Sequence, residues 1–221
     1  MTSTDWLDWH TSYEEEASPL SRRLKSVQRA IRAHLAARDD QPVRAISACA
    51  GQGRDLLEVL ATHPGRGEVA ARLVELDHRN VAIARAAAKV NGLTGVEVVE
   101  GDAGVTDSYA GAVPADLVLF CGVFGNITDS DIETTIHALP QFCTPGASVI
   151  WTRGRPDHAG GEESVSKPDL LPSIHKWFTE AGFEQVSLDT PEDVTWSVGV
   201  HRLTAEPKPL LTGRRLFTFI R

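Results

Sequence analysis

From Val43 onward the chain alternates short, largely apolar runs with amphipathic helical patterns, and this alternation constrains the fold more than anything else in its 221 residues. The apolar runs are Val43–Ala48, Ala70–Leu76, Val96–Glu100, Asp116–Phe120 and Ala147–Thr152. Between them, Asp55–Ala61, Arg79–Asn91 and Asp129–Phe142 carry apolar residues at helical spacing. Strands that are apolar on both faces must be covered on both faces, and helices between successive strands make them parallel. Asn91-Gly92 is a helix stop and Thr144-Pro145-Gly146 a turn ahead of a strand. The expectation is an α/β protein with a parallel sheet between two helical layers.

The flanks read differently. Trp6, Trp9 and Tyr13 are spaced along one helical face, and Ser18-Pro19 can start a longer helix with Leu20, Leu24, Val27, Ile31 and Leu35 inward. Asp39-Asp40-Gln41-Pro42 ends it. Near the other end, Pro168–Gly182 has a helical pattern, while Phe183–Leu188 and Arg215–Ile220 read as strands. Thr190–Leu211 and Gly154–Lys167 are then long loops, a length usually associated with function or disorder.

Charge and cysteine usage narrow the partners. A net charge of −8 argues against nucleic acid, whose phosphates need a clustered excess of Lys and Arg. The densest basic run, Arg22, Arg23, Lys25, Arg29 and Arg32, spreads round a helix and reads as a solvated surface. No window is apolar enough to cross a bilayer, and the N-terminus lacks a secretory apolar core, so a cytoplasmic location is expected. Cys49, Cys121 and Cys143 have no paired spacing; reduced thiols and no metal are the expectation. A monomer or a homodimer is compatible with all of this.

Three polar features fall at the ends of successive strand candidates. The turn Ala50-Gly51-Gln52-Gly53 joins the first strand to a helix, where glycine lets backbone approach a ligand. Glu75, with Leu76 and Asp77, ends the second strand, where a carboxylate can accept both hydroxyls of a ribose. Gly101-Asp102-Ala103 follows the third, where Asp102 can accept an adenine amino group. A nicotinamide dinucleotide is a rival ligand, but its fingerprint needs a small residue where Leu56 stands.

In this order of motifs the chain resembles the class I S-adenosylmethionine-dependent methyltransferases over about residues 43–153. The run Asn80–Ala88 is similar to the helix after the family's ribose acid, and counting back from Arg85 makes Glu75, rather than Asp77, that acid. Asp116–Gly122 matches the fourth strand, and the closing segments from Ala181 look like the family's final antiparallel pair. The resemblance implies a Rossmann-like seven-stranded sheet, mostly parallel with an antiparallel last strand. It also implies a helical lid over residues 1–40 and a cofactor-binding domain over 41–221. The implied cofactor is S-adenosyl-L-methionine, held by Ala50, Gly51, Gln52, Gly53, Asp55, Glu75, Leu76, Asp102, Ala103, Cys121 and Gly122. One motif departs: the family's acid-x-Gly-x-Gly-x-Gly places its acid and first glycine where Ser47 and Cys49 stand. Asp55 or a lid residue is then expected to anchor the methionine amino group.

Methyl transfer needs in-line placement above all, and a base only when the acceptor must lose a proton. Of His10, His158 and His201, we expect His201 and His10 as bases, because Trp196 and Trp9 adjoin them. Tyr13, Phe124, Asn126, Arg153 and Trp196 are the expected substrate pocket. The expected activity is methyl transfer to a small molecule at oxygen or nitrogen. The alternatives are a nicotinamide-dependent oxidoreductase and a non-catalytic cofactor-binding or scaffold protein presenting Trp6 and Trp9.

Overall fold

Seven strands form one sheet in the order β3-β2-β1-β4-β5-β7-β6. The structure is a computed structural model and describes residues 18–38, 41–154 and 169–220. The strands are β1 (Val43–Ala48), β2 (Val69–Glu75), β3 (Val96–Glu100), β4 (Ala115–Phe120), β5 (Cys143–Gly154), β6 (Phe183–Asp189) and β7 (Trp196–Leu203). The helices are α1 (Pro19–Ala36), α2 (Arg54–Thr62), α3 (His78–Val90), α4 (Asp129–Ala138) and α5 (Leu171–Glu180). β1 to β5 are mutually parallel, and β7 runs antiparallel to both β5 and β6. This is the class I methyltransferase sheet that the motif order implied.

The two layers follow from the side chains. Val27, Ile31 and Leu35 of α1 join Leu56, Leu57 and Leu60 of α2 and Ala84 and Ala88 of α3 in one core cluster with β1, β2 and β7. Ile132 and Ile136 of α4 and Ile174 and Phe178 of α5 fill the other face against Phe120, Val149 and Trp151. Ser18 caps α1 by accepting the Ser21 N–H at 3.0 Å, with Pro19 in the first turn.

The basic run of α1 is largely at the surface, with Lys25, Arg29 and Arg32 exposed, and it also makes contacts to other elements. Arg22 pairs with Asp193 at 2.7 Å, Arg29 with Asp189 at 3.0 Å, and Ser26 also donates to Asp189. These contacts clasp α1 to the β6–β7 hairpin.

The last strand lies elsewhere than expected. β7 is built from residues inside the expected loop Thr190–Leu211. Trp196 and Val198 point to the α1 side, while Leu203 joins the α5 side. Trp196, Val198 and Val200 alternate with Ser197, Gly199 and His201, which is the period of a strand, but the polar stretches on either side concealed it in the sequence. Arg215–Ile220 is not a strand: it makes one isolated bridge, Val105 to Arg215, and crosses the carboxyl edge of the sheet.

Candidate functional site

A cavity of about 700 Å³ opens at the carboxyl edge, where the parallel strands end. In open α/β sheets the crevice beyond those ends is the ligand-binding position. β1 supplies its Cys49–Gln52 turn, β2 supplies Glu75 and Leu76, β3 supplies Asp102 and Ala103, and β4 supplies Cys121 and Gly122. α1 contributes Arg23, Leu24 and Val27, and the chain beyond β7 contributes Arg215, Phe217, Thr218 and Phe219.

The turn after β1 is held in left-handed backbone at three alternate residues: φ is 51° at Cys49, 55° at Gly51 and 72° at Gly53. Cys49 thus adopts the conformation of the glycine it replaces, at a cost of order 1 kcal/mol for a residue with a side chain. Its side chain packs against the core, and burial, with Glu75 and Asp102 nearby, pushes its thiol pKa up, so the sulfur stays protonated.

Glu75 is fixed by backbone donors. Its Oε2 accepts the Gly51 N–H and its Oε1 the Asp77 N–H, both at 2.8 Å. A carboxylate has about four acceptor positions, so these two bonds leave capacity for a ligand. Asp77 is committed otherwise: it caps α3 through the Arg79 N–H at 2.9 Å and pairs with the Arg79 guanidinium, which brings its pKa down to about 2.

Asp102 accepts the Gly104 N–H at 2.8 Å and pairs with Arg215 at 3.0 Å. Arg215 belongs to the segment beyond β7, whose Leu216 N–H donates to the Gly104 carbonyl at 2.7 Å. A Cβ on Gly104 would lie 2.3 Å from the Phe217 carbonyl oxygen, so only glycine admits this approach. The segment is tied down further by the Thr218 N–H to Asp131 at 3.3 Å and the Ile220 N–H to the Asn126 carbonyl at 2.9 Å.

The β4 end is equally fixed. Gly122 donates its N–H to Thr152 Oγ1 at 2.8 Å and accepts the Asn126 amide on its carbonyl at 2.7 Å. Near it, Asp55 accepts the Leu56 N–H at 2.8 Å, and burial raises its carboxyl pKa to about 6, against that backbone hydrogen bond and, more weakly, the charge of Arg23. Asn80, one turn into α3, lines the same cavity at 1% exposure, and neither atom of its amide has a hydrogen-bond partner.

Of the expected cofactor residues, Ala50, Gly51, Gln52, Asp55, Glu75, Leu76, Asp102, Ala103, Cys121 and Gly122 converge on this cavity. Gly53 stands behind the turn, with the Leu57 and Leu73 side chains against it. Asn126 is at the wall, whereas Phe124, Arg153 and Trp196 are not. Phe124 is fully buried among Phe120 and Trp151. Arg153 turns away to donate to the Phe124 carbonyl at 2.6 Å and pair with Asp129. Trp196 is in the core on the α1 side.

His201 requires the clearest correction. Its ring is 1% exposed, stacked 3.9 Å from Phe178, and its Nδ1 accepts the Trp151 indole N–H at 3.0 Å. It is a core histidine, and burial lowers its pKa to about 4. His10, Tyr13 and His158 lie outside the described residues. The sequence reading missed Arg23, Asn80, Arg215, Phe217, Thr218 and Phe219 as wall residues. Only the run of aromatic and basic residues in 214–219 signalled the last four, and it was read as a strand.

A family model described as "Putative methyltransferase" matches residues 20–163. The chain belongs to this methyltransferase family. A comparison with curated proteins returns no match. Among solved structures, the N1-methyltransferase of 1,6-didemethyltoxoflavin from Burkholderia thailandensis is similar at 17% identity and a TM-score of 0.66, covering 90% of this chain and 84% of that one. That protein was crystallised with 1,6-didemethyltoxoflavin and S-adenosylhomocysteine. The magnesium protoporphyrin IX methyltransferase of Synechocystis, crystallised with S-adenosylmethionine, is 12% identical with a TM-score of 0.60, covering 82% and 79%. An O-methyltransferase family protein from Burkholderia thailandensis gives 15% identity and 0.57 over 73% of this chain, which spans about half (51%) of that protein. Family and sheet together make S-adenosylmethionine the cofactor and exclude the dinucleotide reading.

No described helix is long and apolar enough to cross a membrane, and the described residues hold no cluster of three or more metal-ligating side chains.

Proposed function

We propose that this protein transfers a methyl group from S-adenosylmethionine to a small-molecule acceptor, at oxygen or nitrogen. One observation carries the reading: Glu75 and Asp102, at the ends of adjacent strands, face one cavity with the Gly51–Gly53 turn, each aimed by backbone N–H groups and each with acceptor capacity to spare. That donor and acceptor set suits a nucleoside. Glu75 would take ribose hydroxyls and Asp102 the adenine amino group. Leu76, 70% exposed at the cavity, would lie against the base.

Asp55 and Arg23 would hold the ammonium and carboxylate of the methionine. Asp55 then replaces the acid missing at Ser47. When bound, S-adenosylmethionine supplies a methyl group already activated by its sulfonium charge. The remaining task of the chain is orientation. Asn126, fixed on Gly122, and Leu24, Thr218 and Phe219 would frame the acceptor.

With His201 in the core, Asp55 is the cavity residue whose pKa is brought closest to neutrality, to about 6. It would hold a proton below that pH and release it as a cation settles beside it. The acidic net charge favours a small acceptor over a nucleic acid. The deciding experiment is methyl transfer from labelled S-adenosylmethionine across a panel of small phenols, carboxylates and amines. Tight cofactor binding with no product on any acceptor would instead favour a non-catalytic binder.

A further inference from the structure

Among the described residues, Asn80 is the one buried side chain on the cavity wall whose hydrogen-bonding demand is unmet. Its side chain is 1% exposed, yet both Oδ1 and Nδ2 lack a partner. Buried amides are almost always paired, because leaving them unpaired forfeits their hydration. The other buried side-chain atoms without partners, His34 Nε2, Arg38 Nε, Trp196 Nε1, Ser197 Oγ and His201 Nε2, belong to residues that do not line the cavity. Among them Asn80 alone stands on its wall.

The chemistry of the gap selects the ligand. A primary amide with both atoms unmet needs a group that donates and accepts on adjacent atoms. A carboxylate only accepts and an ammonium only donates, so either end of an amino acid would leave half of the amide unmet. A vicinal diol satisfies both; the adenine edge also pairs a donor with an acceptor, and the stretch of wall on which Asn80 stands decides for the diol. Asn80 also shares a continuous stretch of wall with Glu75, Leu76 and Asp77, from the end of β2 into the first turn of α3.

We propose that Asn80 is a cofactor-binding residue that takes the ribose diol through its amide, opposite the carboxylate of Glu75. This rests on reading the cavity as the S-adenosylmethionine site. A residue kept for a ligand at the expense of the empty fold has a distinctive signature: its removal weakens binding without weakening the protein.

The test uses Asn80→Leu, of similar volume, and Asn80→Ala. Calorimetry measures S-adenosylhomocysteine and 5′-methylthioadenosine, which keeps the ribose and lacks the amino acid, and thermal unfolding is measured without ligand. Both variants are expected to bind both compounds at least tenfold more weakly, by the same factor, with Tm unchanged or raised for Asn80→Leu. Unchanged affinity, weakening confined to S-adenosylhomocysteine, or a Tm that falls in both variants would each overturn the proposal. Glu75→Gln, measured alongside, separates the two levels. If it leaves S-adenosylhomocysteine affinity intact, the cavity reading itself fails; if it weakens binding while Asn80→Leu does not, only the role of Asn80 fails.

Discussion

The two ends of the cavity are built on different principles. At the β2–β3 end, Glu75 and Asp102 are held by the backbone N–H groups of Gly51, Asp77 and Gly104 before any ligand arrives. At the α1 end, Asp55 sits where burial raises its pKa to about 6, facing Arg23. The first end fixes geometry, because its charges are aimed and already stabilised. The second responds to charge, because a cation beside Asp55 would change its protonation. A pocket of this kind recognises its ligand by shape at one end and by electrostatics at the other.

The largest effect should come from breaking the fixed end. Glu75→Ala removes the acceptor of two N–H groups that join the ends of β1 and β2, each charge-assisted bond being worth about 1.5–3 kcal/mol. S-adenosylhomocysteine affinity should fall roughly 100-fold or more, and Tm should fall with it. Calorimetry and thermal unfolding on one preparation check both, and an unchanged Tm would show that the acid serves the ligand alone.

Asp102→Asn should cost less. Arg215 would lose an ion-pair partner that is 43% exposed, and the base site one acceptor, so a loss of about tenfold is expected. Gly104→Ala should give a similar loss by another route, since its methyl collides with the Phe217 carbonyl. Amide exchange at Leu216, whose N–H bonds to Gly104, should speed up in this variant.

The responsive end is probed by proton count. With its pKa near 6, Asp55 is about half protonated at pH 6, so cofactor binding there should release about half a proton. Calorimetry in buffers of different ionisation enthalpy reads this directly, and Asp55→Asn should abolish it. Because folding raises this pKa above its ordinary value of 3.8, the contribution of Asp55 to stability falls as pH rises from about 4 to 6.

The smallest functional effect is expected at His201. Burial lowers its pKa from 6.5 to about 4, so stability is lost as pH falls through that window. His201→Gln should flatten the acid limb of a Tm–pH profile and leave turnover per folded molecule unchanged. A collapse in turnover would return His201 to the site.

What the sequence made legible follows from how local each signal was. β1 to β5 are bounded by turns and helices whose periodicity is intact, and the expected runs overlap the observed strands within a few residues. The acids at Glu75 and Asp102 were found because strand ends are local landmarks. β7 does carry a period-2 pattern, Trp196, Val198 and Val200 alternating with Ser197, Gly199 and His201, but it was hidden between Pro191-Glu192-Asp193 and Ala205-Glu206-Pro207, which read as loop. The roof of the cavity was hidden for a different reason. Arg215 meets Asp102 across 113 residues, Arg214 meets Thr106 across 108 and Thr218 meets Asp131 across 87, and no periodicity encodes such meetings. Asn80 was visible only as a helical residue, since a missing partner is a property of the folded state.

Those long separations also set a timetable. A chain emerging from the ribosome can pair β1, β2 and β3 and form the glycine turn early, from contacts that close comparatively short loops. The wall made by Arg215, Phe217 and Thr218 cannot form until the residues beyond β7 have been synthesised. The acids at the sheet edge are therefore synthesised well before the segment that completes the cavity wall on Gly104.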